Sequence, residues 1–257
     1  MDEFTNILHE DFVVDRQGRK LPVHVAEPET NEVMPALILA HEIFGVNDHI
    51  RDLCDRFAQQ GLRVYAPELF SGTPSWPEDP DARNDLDTMR KVWAEIPDAR
   101  LIDDLKELFK RVRQSPTVRS HGIGTIGYCM GGAIAFMFAC HSPELAFVID
   151  YYGRIKYPTK TPNKPKDPID YIGGLNTPFL GIFSGIDELI PQEHREQLAA
   201  ELERIGVEHT IKVFDNAPHA FFNDTRETYR EDAAREAWQM TIEFIHAHAA
   251  QPARQKP

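Results

Sequence analysis

The stretch Gly124-Thr125-Ile126-Gly127-Tyr128-Cys129-Met130-Gly131-Gly132 constrains this chain more than any other. Before it, residues 117–123 can enter a buried strand. After it, Ala133-Ile134-Ala135-Phe136-Met137-Phe138-Ala139-Cys140 is long and apolar enough for a packed helix. The pattern Gly-x-Cys-x-Gly therefore joins a strand to a helix. In that context the central residue sits in a tight, strained turn at the top of an α/β sheet, and its neighbours two positions away must be small. Gly127 and Gly131 meet that demand, and Gly132 adds room where helix meets sheet. Cys129 is then held out of the turn at a helix N-terminus, where the backbone dipole favours thiolate over thiol. The plainer reading of the same residues is a Gly-rich turn around a buried cysteine.

The remaining pattern asks for an α/β fold. Residues 11–15 and 21–26 flank a polar turn and predict an antiparallel hairpin. The apolar runs at 35–40, 62–67, 145–152 and 178–184, with 207–214, predict further strands, the first covered on both faces. Helices are expected over 48–60 with Gly61 as its stop, over 81–96, 98–112 and 191–205, and in a closing region from 224 to 248. Strand–helix alternation of this kind means a mostly parallel central sheet with helices on both faces. The loop from 153 to 174 carries four prolines (Pro158, Pro162, Pro165, Pro168) and is long enough to cover a site. No repeat or linker divides the chain, so one domain is expected over 1–250, with 251–257 as a flexible tail.

Composition bounds the partners. A formal net charge of −13 over 257 residues argues against nucleic acid or anionic membrane as the main partner. No run approaches the ~18 apolar residues of a membrane span, and Met1-Asp2-Glu3-Phe4 does not open a signal peptide. Cys54, Cys129 and Cys140 make an odd set without metal-type spacing, which fits free thiols in a reducing compartment. The expectation is a cytoplasmic monomer or weak homodimer acting on a small molecule.

Reactive groups gather where strands end. In an open parallel sheet, ligands meet the loops at the carboxyl ends of strands. Glu42, Cys129, Asp187 and His219 all fall in such loops. The order nucleophile, acid, histidine is that of the α/β-hydrolases. His219 can serve as general base and then acid, with Asp187 orienting its ring, although Glu188 or Asp215 could take that place. An oxyanion would be met by the backbone amides of Met130, next after the nucleophile, and Ile43, in the loop after an earlier strand. This chemistry needs no cofactor and no metal.

These residues carry a family resemblance. Glu42-Ile43-Phe44-Gly45-Val46-Asn47, Tyr65-Ala66-Pro67-Glu68-Leu69, Gly127-Tyr128-Cys129-Met130-Gly131-Gly132, Ser184-Gly185-Ile186-Asp187 and His219-Ala220-Phe221-Phe222 together resemble the dienelactone hydrolase (carboxymethylenebutenolidase) family, over nearly the whole chain. The resemblance implies an α/β-hydrolase fold, a Cys129–Asp187–His219 triad, and a Glu42 that lies by the resting thiol and takes its proton when substrate enters. It implies hydrolysis of a small ester, lactone or thioester through an acyl-enzyme. A second reading keeps the fold and an oxidisable thiol in a non-catalytic ligand-binding or sensing protein. The family also grips a substrate carboxylate with arginines. One of these positions is Asn223 here, with Arg226 the nearest later arginine, and Asn lacks the bidentate charged fork. Arg83 and Arg90 are candidates for the other, near Trp93. Phe44, Tyr128, Trp93 and Phe221 complete the expected pocket.

Overall fold

The computed structural model describes residues 4–16 and 18–250; the 251–257 tail lies outside them. The chain opens with β1 (Ile7–Leu8), β2 (Phe12–Arg16) and β3 (Arg19–Pro28). β2 and β3 form the expected hairpin, with Phe12 opposite Val23. β4 (Met34–Ala40) is buried without interruption from Ala36 to Ala40, as a strand covered on both faces must be. α1 (Asp48–Gln59) follows. Its Asn47 cap accepts the Ile50 amide at 3.1 Å, and Ile50, Leu53, Cys54 and Phe57 form its buried face. A cap of this kind is typically worth ~1 kcal/mol. β5 (Arg63–Pro67) returns to the sheet.

The 81–96 region divides. A 3-10 turn spans Asp81–Asn84, and α2 (Leu86–Glu95) starts afresh after Asp85, whose extended backbone and side chain, accepting the Thr88 amide at 2.8 Å, make it a helix cap. α3 (Asp98–Arg113), β6 (Val118–Tyr128) and α4 (Met130–Cys140) follow. All eleven residues of α4 are buried, which a helix apolar on every side requires. β7 (Val148–Tyr151) is shorter than the apolar run suggests, because Ser142 to Leu145 closes α4 with a turn. Next come β8 (Phe179–Ile186), α5 (Gln192–Ile205) and β9 (His209–Pro218). β9 runs past the expected end at 214 because Pro218 pairs with Ile186. α6 (Glu231–Ala249) begins later than the sequence pattern suggests, since residues 223–229 are spent in two consecutive turns.

Among the described residues the nine strands make one sheet in the order β1-β3-β5-β4-β6-β7-β8-β9, with β2 on β3. β5, β4, β6, β7, β8 and β9 run parallel to one another, while β1 and β2 on β3, and β3 on β5, pair antiparallel. The carboxyl ends of β4, β6, β7, β8 and β9 therefore share one edge. No helix among the described residues is long and apolar enough to cross a membrane.

The 153–174 segment packs as part of the body. Ile155, Tyr157, Ile169 and Ile172 are buried, and Pro168–Gly174 forms 3-10 turns. Its fastening is a buried ion pair: Lys164 Nζ lies 2.8 Å from Asp98 Oδ1 and donates to the Ile96 carbonyl at 2.6 Å. Tyr157 Oη donates to the other Asp98 oxygen at 3.1 Å. Burial pushes the Asp98 pKa up and the Lys164 pKa down, against the attraction between them. Removing one partner strands a buried charge. Lys164→Met is therefore expected to lose roughly 3 kcal/mol of stability in urea unfolding, and adding Asp98→Asn should restore much of it.

Candidate active site

The elbow is built by missing side chains. A Cβ on Gly127 would lie 1.9 Å from the Gly131 carbonyl oxygen, and one on Gly131 would lie 2.1 Å from that of Ala40. A Cβ on Gly132 would strike Asp150 Oδ1 at 2.1 Å. Only glycine lets β6 turn this tightly into α4. Cys129, between them, has φ 55 and ψ −117, a conformation that L residues avoid. Tyr152 and Ala220 are the other non-glycine residues with positive φ among those described, at 42 and 60. All three line one cavity. Strain concentrated this way, at a cost of about 1–3 kcal/mol per residue, marks a site that its surroundings hold in place.

His219 stands between the other two groups. Its Nε2 is 3.0 Å from Cys129 Sγ and its Nδ1 is 2.7 Å from Asp187 Oδ2. Asp187 is held in turn: its Oδ1 accepts the Leu189 amide at 2.9 Å. Glu188 and Asp215 are exposed and take no part in this chain of bonds. Burial opposes charge on the His219 ring, but Cys129 and Asp187 outweigh it and lift its pKa to about 10. Cys54 and Cys140 are also free thiols, but burial raises their pKa values, so neither offers a thiolate.

Glu42 is buried at the end of β4, and it faces the same cavity. Its Oε2 accepts from Asn223 Nδ2 at 2.7 Å. The sulfur's hydrogen-bond partner in this arrangement is His219, and Glu42 is engaged elsewhere. Asn223 is thus no pocket residue: it is 1% exposed, and its Oδ1 accepts from the Thr225 amide and hydroxyl. Those bonds fix which end of the amide meets Glu42. Ile43 and Met130 both line the cavity. The Ile43 amide has no partner among the described residues, and that of Met130 lies in the first turn of α4, where intrahelical acceptors are lacking.

The cavity measures about 190 Å³. Phe44, Arg90 and Trp93 line it, as expected from sequence. Besides Asn223, three expected residues do not. Tyr128 is fully buried beneath the site, packed on Tyr151 and Phe222. Phe221 is buried against Tyr152 and Phe214. Arg83 bonds the Pro77 carbonyl and covers the Trp76 ring in a separate groove. Conversely, the sequence reading passed over Tyr152, Arg154, Tyr157 and Leu189, all of which line the cavity. Tyr152 and Arg154 follow directly on β7, so the rule that located Glu42 and Cys129 at strand ends would have found them. Arg226 also lines it, stacked 4.4 Å over Phe44.

A second cluster lies apart from the cavity. His9, His24 and Asp55 bring ligand-type atoms within 4.8 Å of one another. The two rings stack at 21° with centroids 5.5 Å apart, so their in-plane lone pairs run side by side instead of converging. The Arg51 guanidinium also contacts His24 Nδ1 at 2.7 Å.

The parallel sheet, its crossover helices and the strained β6–α4 turn define an α/β-hydrolase fold. Comparison with known proteins narrows this. The model of the dienelactone hydrolase family matches residues 21–249. A Salmonella typhi protein named "Putative carboxymethylenebutenolidase" is 34% identical over 234 residues, covering 90% of this chain and 84% of its own length. An Escherichia coli K12 protein of the same name is 34% identical over 235 residues, with the same coverage of 90% and 84%. The crystal structure of a "Putative Dienelactone Hydrolase" from Klebsiella pneumoniae matches with a TM-score of 0.86 at 32% identity, over 94% of this chain and 99% of that one. The chain belongs to the dienelactone hydrolase family and is an ester-bond hydrolase.

The raised His219 value has a consequence for stability. A group whose folded pKa exceeds its unfolded value, about 6.5 for histidine, stabilises fully below that value and loses the effect as pH climbs to the folded pKa. The stability gap between wild type and His219→Gln is expected to narrow steadily from about pH 6 to about pH 10, as measured by urea unfolding.

Proposed function

We propose that this hydrolase attacks the carbonyl of a small ester, lactone or thioester with Cys129 and passes through an acyl-enzyme. The single observation that carries this reading is the unbroken line from Asp187 through His219 to the Cys129 sulfur, at 2.7 and 3.0 Å. His219 Nε2, whose raised pKa favours the protonated ring, holds the proton it shares with the Cys129 sulfur as Sγ bonds the carbonyl carbon. The carbonyl π pair becomes an oxyanion facing the amides of Ile43 and Met130, each such donor being worth about 3 kcal/mol of barrier. The oxyanion collapses, the bond to the leaving group breaks, and His219 returns the proton to the departing oxygen or sulfur. Water then attacks the thioester. His219 takes its proton, and the second collapse releases the carboxylic acid and restores the Cys129–His219 pair with its shared proton. Asp187 keeps the ring in the tautomer and orientation that both transfers need. Glu42, tied to Asn223, stands on the cavity wall.

The cavity wall supports an anionic substrate. Phe44, Trp93, Ala133 and Leu189 give an apolar surface for a compact acyl group, and Arg90, Arg154 and Arg226 bring three guanidinium groups to it. The Arg154 guanidinium makes no hydrogen bond or ion pair with a described residue. Burial lowers its pKa from the ordinary arginine value, while Cys129 and Asp187 act the other way. A cation left unpaired beside a nucleophile is suited to a carboxylate on the substrate.

Two measurements test the reading. Turnover of an activated aryl ester should vanish in Cys129→Ala and fall by roughly 10⁴-fold in Asp187→Asn. Arg154→Gln should raise KM about tenfold for an ester bearing a carboxylate and leave a neutral ester of the same size unaffected. Equal KM changes for both esters would remove the anionic-substrate reading, and activity surviving in Cys129→Ala would remove the nucleophile.

A further inference from the structure

The mechanism above makes no use of a polar pair behind the 42–47 loop. His41 follows β4 and Glu68 follows β5, and both lie directly beneath the 42–47 loop. His41 is fully buried. Its Nδ1 donates to the Glu42 carbonyl at 2.6 Å, and its Nε2 accepts the Leu69 amide at 3.1 Å. A carbonyl can only accept, so Nδ1 carries the hydrogen of the first bond. Glu68 Oε2 accepts the Val46 amide at 3.0 Å, and Oε1 accepts the Phe70 amide at 3.3 Å. Glu68 Oε1 also lies 3.4 Å from His41 Nε2. The two side chains thus fasten both sides of the turn that presents Ile43: His41 at Glu42, Glu68 at Val46.

The turn itself is made to receive them. Gly45 has φ 76, and its amide closes back on the Glu42 carbonyl at 3.3 Å. A Cβ at Gly45 would lie 2.8 Å from Glu68 Oε2 and 2.8 Å from the Trp76 ring. Glycine is needed here for both the left-handed backbone and the approach to the carboxylate. The Glu42 carbonyl, accepting from both His41 and Gly45, is directed down into the protein. That carbonyl belongs to the same peptide unit as the Ile43 N–H, and the two point in opposite directions across a trans peptide. Holding the oxygen down therefore holds the Ile43 N–H up, on the cavity side. Neither His41 nor Glu68 lines the cavity, so neither touches substrate.

We infer that His41 and Glu68 are positioning residues that lock the Glu42–Ile43 peptide in the orientation an oxyanion donor needs. This rests on the proposed acyl transfer at Cys129 and adds to it the device that keeps the second donor aimed. Loss of the lock lets the peptide rotate. The Ile43 N–H then leaves the oxyanion, while the triad, built on β6, β8 and β9, keeps its geometry.

The test separates these two elements. Alkylation of Cys129 by iodoacetamide needs the triad but forms no oxyanion, whereas ester turnover needs both. In Glu68→Ala and His41→Phe, kcat on an activated aryl ester should fall by roughly 10–100-fold, on the scale of a displaced oxyanion donor. KM and the Cys129 alkylation rate should stay within about twofold of wild type, since neither depends on that donor. Glu68→Gln keeps one acceptor oxygen and should recover part of the loss, and it also serves as the readout if Glu68→Ala does not fold. The inference is overturned if kcat is unchanged in these variants, or if alkylation and turnover fall together, as a loosened fold would require. Turnover that persists in Cys129→Ala would instead bring down the acyl-enzyme reading, and the inference with it.

Discussion

The structure turns on a close approach that side chains would forbid. β6 can pass into α4 beneath Cys129 only because Gly127, Gly131 and Gly132 leave room for the Gly131 carbonyl, the Ala40 carbonyl and the Asp150 carboxylate. That contact fixes the sulfur at the carboxyl edge of the sheet, and it fixes α4 against β4 and β7. The order of the parallel strands then sets the remaining distances. β8 and β9 lie side by side, and Ile186 pairs with Pro218 one step before Asp187 and His219. Ser184 Oγ, donating to the Pro218 carbonyl at 2.9 Å, ties the same two ends together. The imidazole reaches Asp187 because a register shift between Ser184 and Ile186 brings Pro218 opposite Ile186, and no long flexible loop has to be ordered to bring them there.

The parts of this arrangement that depend on backbone were legible in the sequence. Continuous apolar runs announced the buried strands, and glycines at fixed offsets announced the elbow. The rule that parallel sheets present their chemistry at carboxyl ends placed Glu42, Cys129, Asp187 and His219 on one edge. Side-chain direction was not legible. Tyr128 stands next to Cys129 in sequence yet points into the core, because neighbours along a strand face opposite ways, and Phe221, two residues after His219, is buried beyond the positive-φ Ala220. Asn223 looked like a position that had lost a charge. In the fold it is an interior amide whose partners fix it to Glu42, something that only the packing of the 219–230 segment against the end of β4 could reveal. Arg154 stands just past β7, where the strand-end rule applies, but the segment around it carries little periodic signal and is held by the buried Lys164–Asp98 pair.

The apolar core and the buried polar contacts divide the work. Large clusters around α4 and α1 supply cohesion without direction. The few interior polar groups, His41, Glu68, Asp98, Lys164 and Asn223, each bind a particular loop to a particular strand end. Buried groups of this type add little net stability over well-packed apolar residues. Their effect is to select one loop conformation among several of similar energy, and in this fold the selected loops are those that meet at the sulfur.

The positive-φ backbone at Cys129, Tyr152 and Ala220 bears on how such a protein can change over time. Each of these sites would relax if glycine replaced the side chain. Selection for heat resistance alone would thus favour a chain that keeps its shape while losing its chemistry at Cys129. Lineages or laboratory libraries screened only for folding should drift toward inert scaffolds, and catalytic competence must be selected alongside durability for the elbow to persist.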